Sequence, residues 1–231
     1  MVKANILNDF FVKKPTTLQH EDDIPHSSLN LTVSVIILYF QFPKWATLFK
    51  TLTKNKATGP GEVHNRLLIA AGGIINEALT KLFKGSLKNR FPAIWKVAHR
   101  TPLHKKGPTE LCNNYRPIFL LSCVGKLLER CIHKHVYNFL QYNNIITQSQ
   151  EGFLSGDSTV NQLLRTYNDL CTSFDTGITT QAIYLDLSKA FDRVWHKGLI
   201  SKLKAIGITG KLSNWFRDYL LCRMQPTVVK G

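Results

Sequence analysis

Acidic side chains are scarce in this chain: 15 Asp and Glu face 30 Lys and Arg, leaving a formal charge of +15. A surplus of that size draws polyanions by releasing their counterions, so nucleic acid is the default partner; a soluble basic protein with scattered lysines is the plain alternative. Cysteine is sparse too. Cys112, Cys123, Cys131, Cys171 and Cys222 are odd in number and contain no CxxC pair, which argues against a disulfide framework or zinc ribbon and points to a reducing compartment. Cys131, His133 and His135 sit close in sequence, but on a helix only the first and last share a face, giving two ligands where zinc takes four. Long apolar runs are missing. The greasiest stretch, Leu29–Phe42, interrupts its run with Asn30, Thr32, Ser34 and Gln41; it falls short of a membrane span of about 20 residues and reads as a buried strand or helix. No basic-then-apolar leader opens the chain, and no internal repeat is visible.

What is present suffices for one good core. The 231 residues are 44% hydrophobic, which fits neither a disordered tail nor a repeat array. Between Glu62 and Lys84 the positions Leu67, Leu68, Ala71, Ile74, Ile75, Ala78, Leu79 and Leu82 recur at helical spacing and predict a core-facing helix. Short extended pieces punctuated by Pro and Gly across Trp95–Gly107 predict a hairpin. Further helices are expected from about Leu120 to Tyr142 and from Ser158 to Phe174, the latter capped by Asp157 or Ser158 and striped by Val160, Leu163, Leu164, Tyr167 and Phe174. Leu199, Ile200, Leu203 and Ile206 mark a short helix that Gly207 can end, and an amphipathic helix follows from about Lys211 to Cys222. These stripes are read as core. The stretch from Met224 begins another strand.

Chemistry concentrates in QAIYLDLSKAFDRVWHKGL, Gln181 to Leu199. Its alternating apolar residues predict a half-buried strand ending at Asp186, whose carboxylate can offer oxygens to a hard divalent cation. An ordinary strand-end acid is the bland alternative.

Taken with Asn113–Ser122 (NNYRPIFLLS) and Gln150–Thr159 (QEGFLSGDST), this stretch resembles the reverse transcriptases of LINE-type, non-LTR retrotransposons, in a jockey-like form. Lys3–Phe11 resembles the segment leading into such polymerases, and Asn55–Leu68 resembles their opening motif. That motif usually reads Gly-Pro-Asp-Gly, whereas Gly61 and Glu62 hold its last two places here. The resemblance implies an α+β fold: fingers and part of a palm of a right-hand polymerase, with the thumb absent. It divides the chain into an N-terminal extension, 1–54, and a partial reverse transcriptase domain, 55–231.

The resemblance also implies roles. Asp186 would be the catalytic, metal-binding aspartate, the backbone carbonyl of Leu187 a second ligand, and Mg2+ the cofactor. Phe191 would be the aromatic floor under the sugar, favouring deoxynucleotides by steric exclusion, though a Phe in a turn is often simply core. Lys105 and Arg116 would hold the triphosphate, Arg by forking onto two oxygens and Lys as a point charge, the alternative being a solvated hairpin tip. Asp192, next to Arg193, reads as an ion pair or cap. Gln150, Gly152, Phe153 and Gly156 match a turn that opens a helix under the fingers, but the pattern's Arg is Leu154 here. Implied partners are an RNA template, a DNA primer and deoxynucleotide triphosphates, with an intracellular location, nuclear or cytoplasmic.

One requirement is unmet within these residues. The family's Gly-x-Pro-Gln-Gly turn and its paired aspartates do not occur; after Asp192 the only acid is Asp218, and the only Asp-Asp pair is Asp22-Asp23. The reading is therefore a polymerase fragment expected to be inactive alone. A catalytically dead, basic nucleic-acid-binding remnant is the chief alternative, and a maturase-like polymerase of bacterial intron type fits the motifs less well.

Overall fold

The computed structural model describes residues 2–12, 45–188 and 190–229; the apolar run 29–42 and the acidic patch 21–23 lie outside them. The described chain forms two compact units, one of residues 1–136 and 191–231, the other of 137–190.

In the first unit, helices α1 (Val2–Val12), α2 (Trp45–Lys50), α3 (Asn65–Ala71) and α4 (Asn76–Lys88) precede a hairpin of strands β1 (His99–His104) and β2 (Tyr115–Leu120). The single helix expected over 62–84 is broken in two. Gly72 caps α3 with a positive φ of 50°, and a 3-10 turn, Gly72–Ile75, precedes α4. Glycine adopts that left-handed backbone without a Cβ clash, so the Gly72-Gly73 pair ends what apolar spacing alone would continue. The break turns the two halves of the stripe apart: Leu68, Leu79, Phe83 and Leu87 are buried, whereas Leu67, Ile74 and Leu82 are exposed.

β1 and β2 pair antiparallel, with Thr101 opposite Ile118 and Leu103 opposite Arg116. Pro102 faces Pro117, two residues that cannot donate to the ladder. The strand expected after Met224 does not form as such; its residues reach the other edge of β1 only in isolated parallel bridges, with Ala98 N donating to Met224 O (2.9 Å) and Arg100 N to Pro226 O (2.9 Å). α1 reaches the same place, since Thr227 Oγ1 donates to Asn8 Oδ1 (3.1 Å).

Helix α5 (Cys123–Tyr142) begins in this unit, which also holds α7 (His196–Ala205) and α8 (Gly210–Leu220). The core joins Leu48, Phe49, Phe83, Phe91, Trp95, Leu127, Leu128, Cys131 and Trp215. Phe91 meets Trp95 and Trp215 edge-on, each at 5.5 Å between ring centres, the arrangement that opposed ring quadrupoles favour. Leu212 and Trp215 of α8 are buried as the amphipathic pattern requires. Asp218, one turn further, accepts from the Phe91 backbone N–H (2.8 Å) and from Lys96 Nζ (3.0 Å). The last acid of the chain is thus a structural clamp.

The opening motif docks here as well. A Cβ on Gly59 would lie 2.3 Å from the Leu120 carbonyl oxygen, a distance no other residue type tolerates. Glu62 adopts φ 54° after Gly61 at 96°, so a non-glycine residue occupies left-handed backbone at the place where the motif usually carries glycine.

The second unit contains the end of α5, the turn 150–157 and helix α6 (Thr159–Asp175). Ser158 is the N-cap, its Oγ accepting from Asn161 N (3.2 Å), which satisfies one of the orphan donors of the first turn. The apolar stripe of α6 was expected to be core. Instead Val160, Leu163, Leu164, Tyr167 and Phe174 are exposed; helical period sets which residues share a face but not that another element covers it.

A candidate nucleotide-binding hairpin and the Asp186 segment

The hairpin gathers two of the expected cations. Leu103 lies opposite Arg116, and Lys105 N donates to Asn114 O (2.8 Å), continuing the pairing by one step. Residues two apart on a strand share a face, so Lys105 stands on the same side of the ribbon as Leu103 and Arg116, diagonal to the latter at roughly 7–8 Å between Cα atoms. Both side chains are exposed. The loop between them is tied down by its own bonds: Asn114 Nδ2 donates to Pro108 O (2.8 Å), Tyr115 OH donates to Thr109 O (2.9 Å), and His104 Nε2 lies 2.9 Å from Gly107 O. Two positive side chains on a braced ribbon can grip neighbouring oxygens of a polyphosphate, one as a fork and one as a point charge.

Behind the ribbon lies a third cation that sequence reasoning passed over. Arg100 of β1 is buried, with Nη2 donating to Gln225 Oε1 (2.6 Å) and its guanidinium over the rings of Phe11 (5.4 Å) and Phe119 (5.6 Å). Burial pulls its pKa below the ordinary arginine value, and the charge of Asp192 opposes that fall. Asp192 accordingly acts on Arg100 across the fold as well as sitting beside Arg193. Only the alternation along β1 could have signalled an inward Arg.

The predicted strand ending at Asp186 does not form. Those residues are irregular, and Ile183, Tyr184, Leu185 and Leu187 are exposed, Leu185 at 90%. A strand exists through hydrogen bonds to a neighbour, and among the described residues no segment pairs with this one; alternation alone selects a face without supplying a partner. Asp186 and the Leu187 carbonyl therefore stand on an open segment of the second unit. Phe191 belongs to the first unit, in a 3-10 turn, Ala190–Arg193, and is 80% exposed. Burial in a core, its plain alternative, is not its state.

The turn 150–156 is built. Gln150 Nε2 donates to Gly152 O (2.7 Å), and Phe153 and Gly156 take positive φ of 63° and 89°. Gly152 shows no such backbone. Leu154 replaces the Arg of the pattern, yet the turn carries a cation: Arg165 of α6 pairs with Glu151. Asp157 Oδ1 accepts from Ser158 N (2.8 Å) and Asn161 Nδ2 (3.0 Å). A side-chain hydrogen bond with Asp157 pushes the Glu151 pKa up, and the same bond, with those from Ser158 and Asn161, pulls that of Asp157 down.

Comparison with known proteins decides what this arrangement belongs to. The pattern of the family described as reverse transcriptase (RNA-dependent DNA polymerase) matches residues 103–231, from the hairpin to the end of the chain. The chain belongs to the reverse transcriptase family. It is 34% identical over 193 residues to the probable RNA-directed DNA polymerase from transposon BS of Drosophila melanogaster, covering 83% of this chain and 21% of that protein. Identity to the corresponding polymerase from transposon X-element of the same fly is 34% over 205 residues, covering 87% and 22%. The RNA-directed DNA polymerase from mobile element jockey is 32% identical over 162 residues, covering 69% and 18%. These relatives make it a LINE-type reverse transcriptase domain, and the chain spans about a fifth of their length. Mixed helix with a small sheet is consistent with part of such a domain. The family generally uses a divalent metal and binds a nucleic-acid template and primer. No helix among the described residues is long and apolar enough to cross a membrane.

The donors present fall short of a metal centre. Asp186 and the Leu187 carbonyl offer two kinds of oxygen where Mg2+ takes six in octahedral array, and among the described residues no three His, Cys, Asp or Glu gather at one point.

Proposed function

We propose that residues 55–231 are the fingers and the first part of the palm of an RNA-directed DNA polymerase of a non-LTR retrotransposon. The observation that supports this is the β1–β2 hairpin, where Arg116 of β2 and Lys105, one residue past β1 and bonded through its N–H to Asn114 O, stand within the stretch matched by the family pattern. On this reading the pair neutralises the triphosphate of an incoming deoxynucleotide. Phe191 lies under its sugar, excluding a 2′-hydroxyl by contact. Asp186 and the Leu187 carbonyl supply part of the ligand set for Mg2+, and the turn at Gln150, Gly152, Phe153 and Gly156 carries the backbone into α6. Template RNA and a DNA primer are the macromolecular partners.

Chain elongation needs two metals held by converging carboxylates. Within residues 1–231 Asp186 has no adjacent acid, and Asp218 is engaged by Phe91 and Lys96. These residues alone therefore bind nucleotide without turning it over, which sets the chief alternative, a basic binding remnant, apart by nucleotide recognition rather than by activity. Titration with magnesium deoxynucleotide triphosphate tests the reading. Arg116→Ala is expected to weaken binding by a factor of about 10 or more, as for loss of a charge-assisted bidentate contact, and Lys105→Ala by less. Equal binding by both variants and the parent would refute the hairpin assignment.

A further inference from the structure

We propose that the apolar face of α6 is a self-association surface, on which a second copy of this chain lays its own α6 antiparallel across a two-fold axis. With 3.6 residues per turn, Val160, Leu163, Leu164, Leu170 and Phe174 all lie within about 60° of Tyr167 round the helix. Each of the six is exposed, from 45% for Leu170 to 87% for Phe174. At those exposures they present roughly 700 Å² per copy, close to the about 800 Å² per partner of a standard stable interface. Val160, Leu163, Tyr167, Leu170 and Phe174 also follow one another in steps of three and four, the spacing that lets two helices interlock along a seam. The comparable stripe of α8 is buried in the first unit; among the described residues nothing does the same for α6.

Charge selects the occupant. Residues 137–190 hold two cations, Arg165 and Lys189, against the acids Glu151, Asp157, Asp169, Asp175 and Asp186, a net charge of −3 in a chain of +15. A polyanion is therefore drawn to the other unit. A helix that lies on a membrane rims its apolar face with Lys and Arg, whereas α6 has one Arg, already paired with Glu151. Arg165 and Asp169 lie about 160° from Tyr167, and Asp175 is the terminal residue of the helix. The seam is flanked by Asn161, Thr166, Asn168 and Ser173, all uncharged. A face that chooses a different protein carries flanking charges that reject its own copy. None stand here, so two copies of a strongly basic chain can join these faces without setting like charges against each other. Antiparallel overlap about Tyr167, the midpoint of Thr159–Asp175, also brings each positive helix N-terminus beside the partner's negative C-terminus.

The surface shares no residue with the nucleotide-binding reading, so neither depends on the other. Sedimentation velocity of the full chain, freed of nucleic acid, should show a dimer that grows in across about 1–100 µM, the weak end of what an interface of this size gives. Tyr167→Lys and Tyr167→Glu each set like charges against themselves at the axis and should weaken the dimer about 100-fold or more. Helix content by circular dichroism should not change in either, because the side chain is exposed. Mixing the two variants should restore a dimer, which a variant that merely unfolds cannot do. Leu67→Lys, the same added charge at an exposed residue of α3, should leave the parent dimer intact. A parent chain that stays monomeric, a dimer indifferent to Tyr167→Lys, or no recovery on mixing would overturn the proposal.

Discussion

Removing the carboxylate of Asp218 should cost the first unit about 3 kcal/mol. In the folded chain this group accepts from Phe91 N–H at 2.8 Å and from Lys96 Nζ at 3.0 Å, joining α8 to segments 122 and 127 positions away. The Lys96 side chain is 10% exposed and that of Asp218 26%. Breaking a buried pair by deleting one partner costs about 3–5 kcal/mol, because the survivor is a desolvated charge. Partial exposure of the carboxylate moves the figure to the lower end, and the abandoned Phe91 N–H contributes about 1 kcal/mol of it. Asp218→Ala is therefore expected to lower the urea midpoint by roughly 1–2 M for a denaturant slope of about 2 kcal/mol per M. Replacing both partners, Asp218→Leu with Lys96→Met, should recover most of the loss, since an apolar pair of similar volume avoids the desolvation penalty. Urea unfolding followed by circular dichroism measures all of these. A loss below about 1 kcal/mol for Asp218→Ala, or no recovery in the double variant, would refute the clamp.

Glu62 occupies left-handed backbone at φ 54°, which costs a residue with a Cβ about 1–2 kcal/mol; Glu62→Gly should return about 1 kcal/mol of this after the greater freedom of the unfolded glycine is counted, seen as a higher urea midpoint. Burial first, and then the charge of Glu129, push the Tyr219 hydroxyl up from 10 to about 12, while burial raises the Cys131 thiol from 9 to about 11. Both groups are acids whose folded pKa exceeds the unfolded value, so the stability they contribute is complete below pH 9 and is lost as pH rises from about 9 to 12. Tyr219→Phe should flatten the upper part of that alkaline decline, measured as unfolding free energy against pH; an unchanged profile would contradict the burial of its hydroxyl.

Local signals were legible in the sequence and long-range ones were not. The cap at Ser158, the stripe of α8 and the extent of α5 follow from spacing and turn chemistry within a few residues. The break between α3 and α4 was also written locally, in Gly72-Gly73, but the uninterrupted apolar period outweighed it. By contrast, Gln181–Leu187 has strand composition and lacks a strand, because pairing depends on a neighbour elsewhere in the chain. The uncovered stripe of α6 has the same cause. Nor could spacing reveal that Asp218 is held by Lys96 and Phe91, or that the Arg100 guanidinium lies over the rings of Phe11 and Phe119. Of the candidate site, the motifs announced the hairpin cations and the turn at 150–156; only coordinates put Lys105 and Arg116 on one face and left Asp186 on an open segment.

Primer extension by residues 1–231 on an RNA template, with magnesium and all four deoxynucleotides, bears most directly on the account. Product no greater than that of an Asp186→Asn control is the expected result, since the lone carboxylate cannot hold the metals for in-line transfer. Incorporation by the parent chain that disappears in Asp186→Asn would contradict it.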